Sequence, residues 1–239
     1  MALRFLDTFP GSGVFASVEF DVAGPALPPP DAFRVEAGGR GLVRITLRDR
    51  PVLWARVDRY WQGVWLLARD GAESPGIVAP WRFDDARGVV GRREPERHGL
   101  EWAKRTAGAL RRSPLAPLHA GTFRLTRLRG EPGRFVAPAE RVAPERHAFL
   151  LPGAEALHTA PRELGWQEHF GVVLPLRAPS PASSARRHAW RKAAREGWLP
   201  PVLLHWVSGL NAYGVLDGHD RLAAAGDEGV AIDALALWA

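Results

Sequence analysis

Between Tyr213 and Ala225 the chain reads Tyr-Gly-Val-Leu-Asp-Gly-His-Asp-Arg-Leu-Ala-Ala-Ala, and this stretch restricts the fold more than any other. A short apolar run ends at Asp217-Gly218 and a helix-forming run begins at once behind it, so a strand must turn into a helix within two residues. Such a junction brings the unpaired N–H groups of a first helical turn and the positive end of the helix dipole to one spot. His219 and Arg221 stand beside that spot, which describes a seat for a phosphate or carboxylate. Gly218 supplies the backbone freedom of a tight turn. Arg221 offers a bidentate donor, and His219 a donor or a proton shuttle near neutral pH. Each has a purely structural reading beside the functional one: Arg221 as the ion-pair partner of Asp217, His219 as a ring bonded to a nearby carboxylate. Asp217 and Asp220 both suit a helix start, by capping or by the dipole, an effect of about 0.3–2 kcal/mol. A phosphate held between two such acids calls for Mg²⁺ to reconcile the charges.

The rest of the chain divides by pattern. Residues 1 to about 80 alternate in short β-type runs broken by Pro and Gly: 14–20, 40–48, 52–57 and 61–67, the last closed by Asp70-Gly71. A helix is expected from about Glu94 to Arg112, with Leu100, Trp102, Ala103, Ala107 and Leu110 at helical spacing. A hairpin is expected over 122–136, and 137–170 carries no readable period. From Phe170 the order is a strand at 172–176, a helix capped by Ser183 or Ser184 and stopped at Gly197, strands at 199–207 and 213–216, the junction helix ended by Gly229, and a last strand to Trp238. Gly226 marks either close packing or an early end to that helix. The expected fold class is α+β, with a β-rich domain over 1–160 containing one helix and a smaller α+β domain over 170–239.

Composition narrows the function classes. The chain has no cysteine, which removes disulfides, thiolate metal sites and thiol catalysis. A formal charge of +6, carried almost wholly by arginine, does not by itself demand a polynucleotide partner. No apolar run is long enough for a membrane span, and no leader sequence stands at the start, so a cytoplasmic location is expected. His158 and His169 lie near acids but without metal-binding spacing, and Gly-Ser-Gly at 11–13 lacks the flanks of a nucleophile elbow. Metal ligation is not expected. Arg187, Arg191 and Arg195 recur at every fourth position of the predicted helix, which is either a solvated face or a basic wall for phosphates. The tryptophans read mainly as core, with Trp81 among them, although Trp54, Trp61 and Trp65 on neighbouring strands suit a stacking or protein-binding surface.

The order strand, helix, Glu196-Gly197-Trp198-Leu199-Pro200-Pro201-Val202-Leu203, hairpin, Leu216-Asp217-Gly218-His219-Asp220-Arg221-Leu222, strand resembles the ParB/sulfiredoxin superfamily over about 170–239. The resemblance implies a Gly-His-x-Arg turn holding nucleotide phosphates through Gly218, His219 and Arg221. It also shows departures. Sulfiredoxins need a cysteine in this turn. Centromere-binding members carry a helix-turn-helix domain after the fold, whereas this sequence stops ten residues beyond Gly229. Free serine kinases of the family use a glutamate in the loop after the first strand, and Leu176-Arg177-Ala178-Pro179-Ser180-Pro181 has no acid.

Three readings stand at this point. The first is a nucleotide- or phosphate-binding protein with an ATP- or CTP-type nucleotide and Mg²⁺. It extends to a phosphohydrolase or phosphotransferase in which Asp217 and His219 are the catalytic candidates and Glu168 a further acid able to approach. The second is a non-enzymatic interaction or regulatory protein that keeps the scaffold and binds a protein partner through its N-terminal part. The third is a nuclease or DNA-binding protein. Under the first, Arg221→Ala is expected to lose nucleotide binding while staying folded.

Overall fold

The computed structural model describes residues 3–7, 15–58, 60, 62–69, 76–91, 95–128, 130, 135, 162–168 and 171–239. Gly11 to Gly13, Trp61, Asp70-Gly71, the turn at 131–134, Glu155, His158 and His169 lie outside the described residues.

The protein is α+β, built on two sheets. The first has seven strands: β1 (Arg4–Asp7), β2 (Phe15–Val22), β7 (Gly121–Leu128), β12 (Ala234–Trp238), β10 (Val202–Val207), β11 (Ala212–Asp217) and β9 (Val172–Leu174), in that spatial order. It is mixed: β10 runs parallel to β12 and β11 parallel to β9, while the remaining neighbours are antiparallel. The second is an antiparallel sheet of β3 (Arg34–Ala37), β4 (Leu42–Leu47), β5 (Arg50–Val57), β6 (Val64–Ala68) and β8 (Arg162–Gln167). Four α-helices accompany them among the described residues: α1 (Phe83–Val90), α2 (Pro95–Arg112), α3 (Ala185–Arg195) and α4 (His219–Glu228).

Local pattern explains most of these elements. In β2 and β7, Val18, Phe20, Phe123 and Leu125 point inward and are buried, while Glu19, Asp21, Thr122 and Arg124 alternate to the other face. In α2, Trp102, Ala103, Thr106, Ala107 and Leu110 make the buried stripe at three- and four-residue spacing. Ser184 caps α3 by accepting the Arg187 N–H at 3.1 Å, and Gly197 follows the helix with φ +74°. Gly63 lies beneath Trp166, where a Cβ would come within 2.4 Å of the indole.

The expected boundary near 160–170 does not separate two cores. β12, the last strand, pairs with β7 from the first half of the chain, and β7 pairs with β2. One apolar cluster joins Ile45, Leu53 and Leu66 of the five-stranded sheet to Phe20, Leu125, Leu203 and Leu237 of the seven-stranded one. Trp102 of α2 and Trp190 of α3 enter the same cluster. A smaller cluster covers the opposite face of the seven-stranded sheet, where Leu222 and Ala225 of α4 rest on Val202, Leu204 and Val215. Phe83 at the start of α1 links the halves by packing against Trp190 and Trp198, with ring centroids 5.6 and 5.1 Å away.

Strands β1, β3 and β8 and helix α1 were not legible as elements, being short or weakly periodic. Trp54 and Trp65 share the outer face of the five-stranded sheet, where Trp65 stands opposite Trp166 with ring centroids 5.4 Å apart. Trp81 belongs elsewhere: it packs edge-on against Trp102 at 4.8 Å.

Candidate functional site

The junction forms as its sequence predicts: β11 ends at Asp217, Gly218 takes φ +104°, and α4 begins at His219. The backbone there is open only to glycine. A Cβ on Gly218 would meet Arg221 Nη2 at 2.7 Å and Val202 Cγ1 at 2.9 Å, in addition to the strain of the positive φ.

Arg221 is buried, with 1% of its surface exposed. Its Nη2 donates to Asp217 Oδ2 at 2.9 Å and to the Pro201 carbonyl at 3.0 Å, and its guanidinium lies 5.7 Å from the Trp190 ring centre. The structural reading of this residue is therefore the one observed. Asp217, 8% exposed, is its ion-pair partner rather than a helix cap. A buried pair of this kind leaves an uncompensated charge if one member is removed, so the expectation that Arg221→Ala stays folded does not survive the geometry.

His219 is also buried, and its Nε2 accepts the Leu176 N–H at 3.2 Å. A ring nitrogen that accepts cannot carry the proton, so the neutral ring bears its hydrogen on Nδ1. Burial first, and then the positive charges of Arg177 and Arg221, push its pKa down to about 3, against an upward pull from Asp220. An imidazole held that far below neutrality is a poor proton shuttle at physiological pH. The expected carboxylate partner of His219 is replaced by a backbone amide.

Asp220 turns away from its own helix towards the loop after β9. Its Oδ1 accepts the Ser180 N–H at 2.7 Å, its Oδ2 accepts from Arg186 Nε at 2.6 Å, and Arg177 Nη2 stands 3.9 Å off. Burial pushes this carboxyl up, but the Ser180 amide and the two arginines more than offset it and leave the pKa below the ordinary value. The loop that lacks an acid in the sequence thus receives one from the helix.

The stripe Arg187, Arg191 and Arg195 is not an open wall. Arg187 Nε pairs with Asp227 at 2.8 Å, Arg191 Nε with Glu228 at 2.5 Å, and Arg195 Nη1 with the same Glu228 oxygen at 2.8 Å. These bonds join α3 to α4. Their signal was present in the sequence, because Asp220, Asp227 and Glu228 return on one side of α4 as the arginines do on α3. Glu168 is exposed and accepts the Trp166 indole N–H at 3.1 Å. Among the described residues no three His, Asp or Glu side chains gather in a metal-binding group. No described helix is long and apolar enough to cross a membrane.

The structure therefore brings Asp217, Gly218, His219, Asp220 and Arg221 together with Arg177, Ser180 and Arg186, three contributors that the pattern of the turn did not disclose. Within this group Arg186 is paired with Asp220 and Arg221 Nη2 with Asp217, while Arg221 Nε is buried without a hydrogen-bond partner. A nucleotide phosphate would have to displace Asp220 from the Ser180 N–H and Arg186 to use these donors. Comparison with protein-family models, with curated proteins and with solved structures returns no match.

Proposed function

We propose that this chain is a non-enzymatic interaction or regulatory protein, in which a ParB/sulfiredoxin-like unit over about 170–239 serves as scaffold and its phosphate turn is closed by the chain's own carboxylates. The observation that carries this reading is Asp220, whose carboxylate takes the Ser180 amide and Arg186 that an incoming anion would use. The surface best suited to a protein partner is the outer face of the five-stranded sheet. There Trp54, Trp65 and Trp166 are half-buried and stand beside Arg44 and Arg56 across the strands. Tryptophan and arginine are the residues that interfaces favour.

A second reading, binding of a nucleotide or another phosphorylated small molecule, draws support from the same contacts. Ser180, Arg177 and Arg186 already converge on an oxyanion, so a phosphate that displaced Asp220 would find donors waiting. The nuclease or DNA-binding reading has lost its main support, since the arginine stripe is neutralised by Asp227 and Glu228. Calorimetric titration of ATP, ADP, CTP and GTP, with and without Mg²⁺, separates the first two readings. The scaffold reading expects no saturable binding and no turnover; saturable binding by any of them would return the junction to a nucleotide site.

A further inference from the structure

One row of side chains crosses all seven strands of the larger sheet on the face that α4 only partly covers. The register places Arg4 opposite Glu19, Glu19 opposite Arg124 and Arg124 opposite Trp238. Trp206 follows beside Trp238, since their neighbours His205 and Leu237 are partners, and Tyr213 and Val173 complete the row. Three members of the row are charged, three are aromatic, and Val173 ends it. The rings touch: Trp206 lies 5.4 Å from Trp238 and 4.8 Å from Tyr213, centre to centre. The next row is built from short side chains, Ser17, Thr126 and Ala236, so Arg124 and Trp238 stand above it. The result is an open concavity of about 410 Å³ lined by Glu19, Thr122, Arg124, Thr126, Trp238 and Ala239, within the range of small-ligand pockets.

The chemistry of this hollow is specific. Its lining pairs one guanidinium with one carboxylate, Arg124 Nε donating to Glu19 at 2.9 Å; on the neighbouring strand positions Arg4 stands 3.5 Å from Asp21, which also accepts from the Thr122 hydroxyl at 2.7 Å. An anion gains nothing from a pair balanced in this way and meets Glu19. A purely apolar ligand would strip water from the charges without replacing it. What fits is a neutral molecule with an apolar face for the Trp238 ring and hydroxyl groups that can both donate and accept.

We propose that this groove binds a saccharide unit. Its C–H face lies on Trp238, and adjacent hydroxyls bridge the Arg124 guanidinium and the Glu19 carboxylate, with Thr126 and Thr122 at the sides. Such pairing uses donor and acceptor side by side, as the cross-strand register supplies them. The site is separate from the Asp217–Arg221 junction and does not depend on how that junction is read.

The test is saturation-transfer NMR on the whole chain, with glucose, galactose, mannose, N-acetylglucosamine and their disaccharides as probes and adenosine and uridine as planar alternatives. At least one saccharide should show saturable transfer at millimolar concentration, weakened about tenfold or more in Trp238→Ala. Glu19→Gln, which keeps the volume and removes the charge, should weaken it as well if Trp238→Ala fails to fold. Val35→Ala, an exposed position on the other sheet, should leave it unchanged. The proposal falls if no saccharide gives transfer, if only the nucleosides do, or if Glu19→Gln and a folded Trp238→Ala both bind as the wild type does.

Discussion

Arg221 shows how one residue type can be read correctly in kind and wrongly in direction. The sequence pattern made it a phosphate-ligand candidate, but its guanidinium faces inward onto Asp217 and the Pro201 carbonyl. Removing it strands a buried carboxylate, so Arg221→Ala is expected to cost about 3–5 kcal/mol of stability, readable by urea unfolding. Replacing both partners, Asp217→Asn with Arg221→Met, should cost less than the single change, because no charge is left alone. His219 makes a second prediction. Its folded pKa of about 3 lies below the ordinary value of 6.5, so the unfolded chain takes up a proton that the folded chain refuses. Its contribution is complete above pH 6.5 and is lost as pH falls towards 3, on the order of a few kcal/mol. Unfolding at pH 7 and pH 4.5 measures this slope, and His219→Gln should flatten it.

At the scale of elements, legibility followed the range of the cause. Ser184 as a cap, Gly197 and Gly229 as stops and the alternation of β2 and β7 are local, and each was legible in the sequence. The partners of Arg187, Arg191 and Arg195 were legible only as a matching acidic side of α4, since a charge stripe alone does not say which helix lies across from it. The close approach of Asp220 to Ser180 depends likewise on how a loop after β9 folds back over α4. Gly226 settles a local question: the helix continues through it to Glu228, it is exposed, and a Cβ there would meet nothing within 4 Å. Neither close packing nor an early helix end explains it. Gly226→Ala should therefore stabilise the protein by about 0.5–1 kcal/mol, seen as a higher midpoint in denaturant. An unchanged or lower midpoint would mean that α4 is not helical at this position in solution.

The whole molecule depends on pairing between distant parts of the chain. The sequence pattern suggested a smaller α+β domain over 170–239; in the structure β12 lies against β7, and Leu203 and Leu237 share a core with Phe20 and Leu125. A fragment of residues 170–239 would expose β12 as an unpaired edge and lose most of the residues of that core, among them Phe20, Phe123 and Leu125. It is expected to be unfolded or aggregated by circular dichroism and light scattering, whereas a cooperatively folded monomer would restore the two-domain view. Occupation of the junction by the Asp220 carboxylate is tested directly by phosphate titration of wild type and Asp220→Ala, followed at the Ser180 amide by NMR. No saturable shift is expected in the wild type, and saturable binding is expected once the carboxylate is gone. Equal affinity in both proteins would show that the seat was open from the start.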